Sequence, residues 1–96
     1  MIEVERTNRF KKEFELMIKR GNDPQKFKTL FELLITNVSK GIEHHLLLPK
    51  KYCLHKLSGK YNNTWECHIA PDWLLVYYLD DRVLRLERTG SHSDIF

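Results

Sequence analysis

The stretch "HIAPDWLLVYYL", residues 68–79, decides the fold and raises the main question about function. Its last six residues are aliphatic, aromatic or β-branched, a composition that predicts a buried β-strand. Just before them stand a histidine, a proline and an aspartate: His68, Pro71 and Asp72. We interpret residues 64–79 as one strand bent at Pro71, because proline cannot donate a hydrogen bond to a sheet ladder. Titratable groups at the entrance to a core indicate a functional site.

The sequence before this stretch predicts a strand followed by two helices. Residues 1–6 alternate apolar and charged side chains, as a half-exposed strand does. Two segments with apolar residues at helical spacing follow, and the short link between them predicts a helical hairpin. The helix signals are a cap at Thr7 or Asn8, a terminator at Gly21, a second cap at Asp23 with Pro24 behind it, and an end near Gly41.

The second half of the chain predicts a sheet. A strand near residues 52–57 leads through a Gly- and Asn-rich turn into the bent strand, and residues 82–90 form the last strand. The tail from residue 91 is predicted to be short and irregular. The order β-α-α-β-β-β predicts an α+β fold, a helical hairpin packed on a mainly antiparallel four-stranded sheet, in a single domain covering residues 1–96.

Composition excludes several classes of protein. Hydrophobic residues make up 42% and charged residues 30% of the 96 residues, as in ordinary globular proteins. No run of 18 apolar residues is present, so we expect no membrane association, and Glu3 and Glu5 stand where a signal peptide needs apolar residues. Cys53 and Cys67 match neither a zinc site nor a disulfide framework, which favours free thiols and a cytoplasmic location.

The positive charge is concentrated in one segment. Net charge is +3, yet no aspartate or glutamate occurs between Glu43 and Glu66. That window contains four lysines and three histidines: Lys50, Lys51, Lys56, Lys60, His44, His45 and His55. Such a segment suits a polyanion such as RNA, although a solvated basic loop is the alternative interpretation.

Histidines in the β half are candidates for a shared site. His55 and His68 stand at similar distances from the turn at residues 60–63, which predicts that they face each other with Cβ atoms about 5 Å apart. Asp72 lies four residues after His68 and is positioned either to approach that imidazole or to cap the turn made by Pro71. His92 follows the last strand at the sheet edge.

These groups fit RNA cleavage by attack of the ribose 2′-hydroxyl on the adjacent phosphate. The reaction needs a base, an acid and a cation, and imidazoles titrate near neutral pH, so one can be neutral while another is charged. Arg88 is a permanent cation just before His92, and Phe96 offers a stacking surface for a base. No metal or other cofactor is required, and the histidines lack the HxH or HxxxH spacing of a metal site.

Three motifs resemble the YafQ-type toxins of the RelE superfamily from bacterial type II toxin–antitoxin modules. They are "YCLHKLSG" (52–59), "HIAPDWLLVYYLDD" (68–81) and "LRLERTGSHSDIF" (84–96). The resemblance covers essentially the whole chain. It implies an endoribonuclease that cuts messenger RNA in the ribosomal A site, a cognate antitoxin as partner, and contact with operator DNA only through the antitoxin complex.

The resemblance also assigns residues. It places the catalytic surface on His55, His68, Asp72, His92 and Phe96. We expect His92 on a mobile tail to act as general acid, His55 or His68 as base, Asp72 as the group that orients one of them, and Phe96 as the group that positions the nucleotide. Arg88 is expected to contact phosphate, and Lys50, Lys51 and Lys56 to contact the ribosomal RNA backbone.

Two other functions compete with this hypothesis. One is a non-catalytic toxin of the same fold that inhibits a protein target such as DNA gyrase, but relatives of that kind lack the histidine set. The other is a basic RNA-binding module whose histidines are incidental.

Overall fold

The computed structural model describes residues 2–57 and 62–96, which form two main helices packed on a five-stranded sheet. The elements are β1 Glu3–Arg6, α1 Asn8–Lys19, α2 Pro24–Val38, two 3₁₀ helices at Ile42–Leu47 and Lys50–Tyr52, β2 His55–Lys56, β3 Thr64–Ala70, β4 Trp73–Leu79, β5 Val83–Gly90 and α3 His92–Ile95. The strand order is β1-β5-β4-β3-β2, with β1 parallel to β5 and the other pairs antiparallel. The predicted α+β class is confirmed.

The predicted helix ends are confirmed in the structure. The side chain of Thr7 caps α1 by accepting a hydrogen bond from the Phe10 amide at 2.9 Å. Gly21 follows α1 with φ +97°, a left-handed value that favours glycine. Asp23 caps α2 in the same way, and Pro24 occupies its first turn.

The core lies between the two helices and one face of the sheet. Phe14 of α1 contacts both Phe27 of α2 and Trp73 of β4, at ring-centroid distances of 5.0 Å and 6.0 Å. Leu30 and Leu34 of α2 are fully buried in the same core. Each buried side chain of this size contributes about 1.5–3 kcal/mol to folding, so this layer fixes the helices on the sheet.

The predicted single strand over residues 64–79 is wrong, because Pro71 and Asp72 form the turn of a hairpin. Ala70 pairs with Trp73, so only Pro71 and Asp72 remain as the loop, and β4 runs back along β3. Proline has a fixed φ and no amide donor, so it suits the turn better than the ladder. The sheet therefore has five strands instead of four.

The predicted pairing of His55 with His68 is also wrong. His55 pairs with Glu66, two residues nearer to the turn, and Lys56 pairs with Trp65. The predicted strand over 52–57 is reduced to two residues because Cys53 adopts a left-handed conformation (φ 50°, ψ 43°) after the second 3₁₀ helix. Residues 58–61 of the predicted turn lie outside the described residues.

The prediction of an irregular tail is wrong, because the tail contains the short helix α3. Ser91 and Asp94 form a reciprocal capping box, in which each side chain accepts a hydrogen bond from the backbone amide of the other. His92 is the first residue of this helix, and the amide of Phe96 donates to the His92 carbonyl at 2.8 Å. The capping box therefore fixes the position of two predicted site residues.

No helix in the described part of the chain is long and apolar enough to cross a membrane.

Candidate active site

Three of the five predicted catalytic residues meet at one end of the sheet. His92 Nδ1 lies 2.8 Å from Asp72 Oδ1, and the His92 backbone amide donates to the same oxygen at 3.0 Å. The His68 ring lies edge-on to the His92 ring, with centroids 5.4 Å apart and an interplanar angle of 82°. This arrangement brings two imidazoles and one carboxylate into a single exposed cluster.

The sheet register explains why these residues meet. Leu74 of β4 pairs with His68 on one side and with Gly90 on the other. The end of β3, the hairpin turn and the end of β5 therefore lie side by side. Asp72 occupies the turn and His92 follows β5 by two residues, so the backbone delivers both to the same corner. Asp72 thus contacts His92, whereas the sequence offered two other positions, an approach to His68 or a cap on the turn made by Pro71.

The contact with Asp72 determines which nitrogen of His92 can react. A carboxylate oxygen only accepts hydrogen bonds, so Nδ1 carries the proton that faces Asp72. Nε2 is then the nitrogen that gains or loses a proton toward solvent. The two hydrogen bonds from His92, first from its backbone and then from its side chain, lower the pKa of Asp72. Asp72 therefore stays ionised at neutral pH and holds the ring in one orientation.

We expect the attachment of the tail to weaken in acid. The pKa of Asp72 is lowered in the folded chain, so its stabilising contribution is complete above the unfolded value of 3.8 and is lost as the pH falls through the lower folded value. The protection of the His92 amide, measured against the exchange rate of an unstructured amide at the same pH, should consequently decrease from about pH 4 downward. Amide exchange by NMR tests this, with Asp72→Asn as the control. A variant that kept the same pH dependence would contradict the role of Asp72.

Further contacts connect α3 to Arg20 at the end of α1 and to Arg88 of β5, whereas the sequence predicted a mobile tail. The Asp94 carboxylate binds the Arg20 guanidinium at 2.6 Å and 3.4 Å, and this contact lowers the pKa of Asp94. Arg88 binds Glu13 at 2.7 Å and the Asp94 carbonyl at 3.2 Å. The guanidinium of Arg88, predicted to contact phosphate, thus already has a carboxylate partner in the folded chain.

His55 lies in β2, the strand that pairs with the His68-containing strand β3. Its Nε2 is 3.3 Å from Oε1 of Glu66, and its Nδ1 is 3.1 Å from the Cys53 carbonyl. The His55 side chain is half exposed, whereas that of Glu66 is only 3% exposed. Glu66 and His68 are two residues apart in β3 and project from the same face of the sheet. His55 is therefore a neighbour of the cluster through Glu66.

The predicted RNA-contacting lysines lie on the surface. Lys50, Lys51 and Lys56 are exposed, and none pairs with a carboxylate within residues 2–57 and 62–96. An open pocket of about 640 Å³ adjoins His68, and Lys26 and Lys51 contribute to its lining. Phe96 is 72% exposed at the end of α3. Cations and an aromatic face are thus available next to the histidine cluster.

Other titratable groups are structural. His45 is buried, lies 2.8 Å from the Tyr77 hydroxyl through Nδ1, and packs edge-on against Trp65. Burial lowers the pKa of His45 and raises the pKa of Cys67 to about 12. Both thiols are free, as predicted. Neither His45 nor Cys67 is suited to act on a substrate.

Sequence reasoning missed Glu13, Arg20, Glu66 and Asp94. Glu66 had a signal, because it is an acidic residue inside an otherwise buried strand. Glu13 and Arg20 had none, because their contacts join residues more than 70 positions apart, whereas Asp94 has the capping-box spacing from Ser91. The described residues contain no group of three or more histidine, cysteine or acidic side chains arranged to hold a metal ion.

Comparisons with known proteins agree with this fold. The fold is that of the toxins of bacterial type II toxin–antitoxin systems. Within that class, the chain belongs to the YafQ family, described as "Bacterial toxin of type II toxin-antitoxin system, YafQ", whose model matches residues 2–96.

Individual relatives extend this comparison. The mRNA interferase toxin YafQ of Escherichia coli K12 is 38% identical over 94 residues, covering 98% of this chain and 95% of the relative. The crystal structure of the E. coli DinJ-YafQ complex superposes with a TM-score of 0.87 at 38% identity, covering 100% of this chain and 99% of the other. A copper-bound mutant toxin from Helicobacter pylori superposes with a TM-score of 0.80 at 33% identity and full coverage of both chains.

Proposed function

We propose that this chain is the toxin of a type II toxin–antitoxin module and acts as an mRNA interferase. As one domain covering residues 1–96, it cuts messenger RNA in the A site of cytoplasmic ribosomes and thereby stops translation and growth. Membership in the YafQ family and the name of the E. coli relative support the class of activity. The observation that carries the chemistry is the Asp72–His92 pair with His68 in contact.

The proposed reaction is transesterification by acid–base catalysis. A histidine base removes the proton from the ribose 2′-hydroxyl, whose oxygen forms a bond to the adjacent phosphorus. The bond from phosphorus to the 5′ oxygen breaks, and His92 Nε2 donates a proton to that oxygen. The products are a 2′,3′-cyclic phosphate and a 5′-hydroxyl. Each proton-transfer partner contributes about 10²- to 10⁴-fold to the rate.

The surrounding surface supports RNA as the substrate. Lys50, Lys51 and Lys56 offer cations to the phosphate backbone, and Phe96 offers a face on which a base can stack. The pocket beside His68 is wide enough for a nucleotide and is lined by two lysines. Binding that depends on such phosphate contacts weakens as the salt concentration rises.

The proposed partners are those of a toxin in a toxin–antitoxin module. A cognate antitoxin binds and neutralises this chain, as the complex of the E. coli relative with DinJ suggests. Operator DNA is reached only through that antitoxin complex. The reaction needs no metal ion, since histidine side chains supply both proton transfers, although a copper-bound relative makes this point worth testing.

The decisive experiment incubates the purified chain with programmed ribosomes and maps the 3′ ends of the messenger RNA. We expect cleavage within the A-site codon, a cyclic phosphate at the new end, and an unchanged rate when the toxin alone has been treated with a metal chelator that is removed before the ribosomes are added. Ribosomes incubated without the toxin are the control. Intact messenger RNA would contradict the proposed activity, and complete loss of cleavage with the chelator would contradict the metal-independent mechanism.

A further inference from the structure

The short helix α3 begins with His92 and is followed by Phe96, yet it has little that would hold it in place by packing. None of its four described residues, His92–Ile95, is buried. A single helical turn is unfavourable to nucleate, and most helices in proteins owe their stability to a buried apolar face. Polar contacts with the rest of the chain must therefore determine where the imidazole of His92 lies.

Two of these polar contacts hold opposite sides of the turn. Asp72 accepts hydrogen bonds from His92 at 2.8 Å and 3.0 Å, and Arg20 binds the Asp94 carboxylate through both terminal nitrogens at 2.6 Å and 3.4 Å. Arg88 adds a contact to the Asp94 carbonyl at 3.2 Å. Residues two positions apart in an α-helix point about 200° away from each other. The contacts of Asp72 and Arg20 together therefore fix the rotation of α3.

Gly90 makes room for the contact between Arg20 and Asp94. The positive-φ glycines among the described residues are Gly21 and Gly41, so the backbone conformation does not explain a glycine at position 90. A Cβ atom there would lie 2.9 Å from Cβ of Asp94 and 3.1 Å from its Oδ2. The first distance is well inside the optimal carbon–carbon separation of about 3.5–4.0 Å. The absence of a side chain at Gly90 thus allows Asp94 to fold back over the end of β5.

We propose that Arg20 is a positioning residue for the cleavage reaction, which holds Asp94 and thereby orients α3 so that His92 faces the substrate beside His68. This inference rests on the proposed function for its catalytic consequence, whereas the effect of Arg20 on α3 does not depend on it. Arg20, followed by the Ser91 amide, lowers the pKa of Asp94, so the carboxylate stays ionised at neutral pH.

The expected consequence is a loss in the chemical step. A proton donor must approach the leaving oxygen closely, and a displacement of about 1 Å can lower the rate about 10²-fold. Arg20 lies outside the histidine cluster and on a different element from the lysines that we expect to contact the RNA backbone, Lys50, Lys51 and Lys56. Removing Arg20 should therefore affect kcat more than KM.

The alternative is that Arg20 only stabilises the end of α1, since a cation near a helix C-terminus is favourable. Lys19 separates the two interpretations, because it lies in the last turn of the same helix. Lys19 is exposed, and across residues 2–57 and 62–96 it forms no ion pair. Lys19→Gln is therefore the matched control for Arg20→Gln, since it removes the same charge without a contact to α3.

The first test measures the order of α3 by ¹⁵N relaxation on the full chain. We expect the backbone order parameters of His92 and Phe96 to fall from about 0.85 toward about 0.6 in Arg20→Gln and to stay unchanged in Lys19→Gln. Gly90→Ala should give the same decrease, because the added Cβ displaces Asp94 without removing a charge. Order parameters in Arg20→Gln or Gly90→Ala that equal those of Lys19→Gln would overturn the proposal.

The second test measures cleavage on programmed ribosomes together with thermal stability. We expect Arg20→Gln to lower kcat by about tenfold to a hundredfold with little change in KM, and Arg20→Lys to retain more activity because it keeps the charge. The melting temperature of Arg20→Gln should match that of Lys19→Gln, since exposed ion pairs contribute little to stability. An unchanged kcat, or an equal loss of kcat in Lys19→Gln, would contradict the role of Arg20.

A double-mutant cycle tests whether Arg20 acts through Asp94. Asp94→Asn removes the charge that binds Arg20 but keeps an oxygen that can accept from the Ser91 amide, as in the capping box. We expect the double variant to lose no more activity than either single variant, because both remove the same contact. Losses that multiply in the double variant would show that Arg20 acts by another route.

The experiments separate this inference from the proposed function. If the unmodified chain cut no messenger RNA, the proposed function would fail, but the order parameters of His92 and Phe96 would still report whether Arg20 fixes α3. If the chain cut messenger RNA and Arg20→Gln cut it equally fast, the proposed function would stand and the role of Arg20 would fail.

Discussion

Replacement of His92 by alanine is expected to lower the rate of messenger RNA cleavage on ribosomes by about 10²- to 10⁴-fold. His92 is the imidazole whose Nδ1 is held by Asp72 at 2.8 Å, which leaves Nε2 directed away from that carboxylate. The substitution removes the proposed proton donor to the leaving 5′ oxygen. It also leaves the capping box of Ser91 and Asp94 in place, so α3 should still form.

A single-turnover assay on programmed ribosomes checks this prediction, because it isolates the chemical step from product release. His44→Ala is the matched control: it removes an imidazole from the first 3₁₀ helix, outside the histidine cluster. We expect this control to cleave at nearly the rate of the unmodified chain. A His92→Ala variant that cleaved within about threefold of that rate would show that another group donates the proton.

Local signals made most of the fold predictable. Thr7 and Asp23 act as helix caps through contacts with residues two or three positions away, so the sequence contains everything that determines them. The apolar residues at helical spacing correctly predicted the two helices α1 and α2. These elements depend on periodicity and on near neighbours, and a sequence displays both.

The errors arose where tertiary context decides between local alternatives. Pro71 is compatible both with a bend in one strand and with a turn between two strands, and only the pairing of Ala70 with Trp73 distinguishes them. The register of β2 shows the same difficulty, since a shift of two residues keeps His55 on the same face but exchanges its partner. The sequence could therefore predict which types of residue lie on this face of the sheet, but not which of them contact each other.

The pairing of Asp72 with His92 illustrates this limit. Asp72 and His92 are 20 positions apart, and they meet only because two turns of the chain lie side by side. The sequence offered His68, four residues away, as one possible partner of Asp72 and a cap on the turn made by Pro71 as the alternative. In the structure, His68 contacts His92 ring to ring, so all three residues still belong to one cluster.

Replacement of Trp73 by alanine is expected to cause a large loss of stability, because Trp73 joins the core to the site. Its ring is fully buried, and its Nε1 donates to the Thr89 hydroxyl at 2.8 Å. Thr89 in turn donates to the Leu74 carbonyl at 2.6 Å, which connects β5 to β4 next to the turn that contains Asp72. Replacing a buried tryptophan with alanine typically costs about 3–5 kcal/mol.

A loss of that size is a large fraction of the total stability of about 5–15 kcal/mol that a domain of this kind has. Urea unfolding followed by far-ultraviolet circular dichroism measures it directly. Trp73→Phe separates packing from hydrogen bonding, since it keeps most of the ring volume and loses only the donor to Thr89. Leu47→Ala, at a side chain that is 69% exposed, should change stability by no more than about 0.5 kcal/mol. If Trp73→Ala lost less than about 1.5 kcal/mol, the layer between the helices and β4 could not be what holds the hairpin turn and its carboxylate in position.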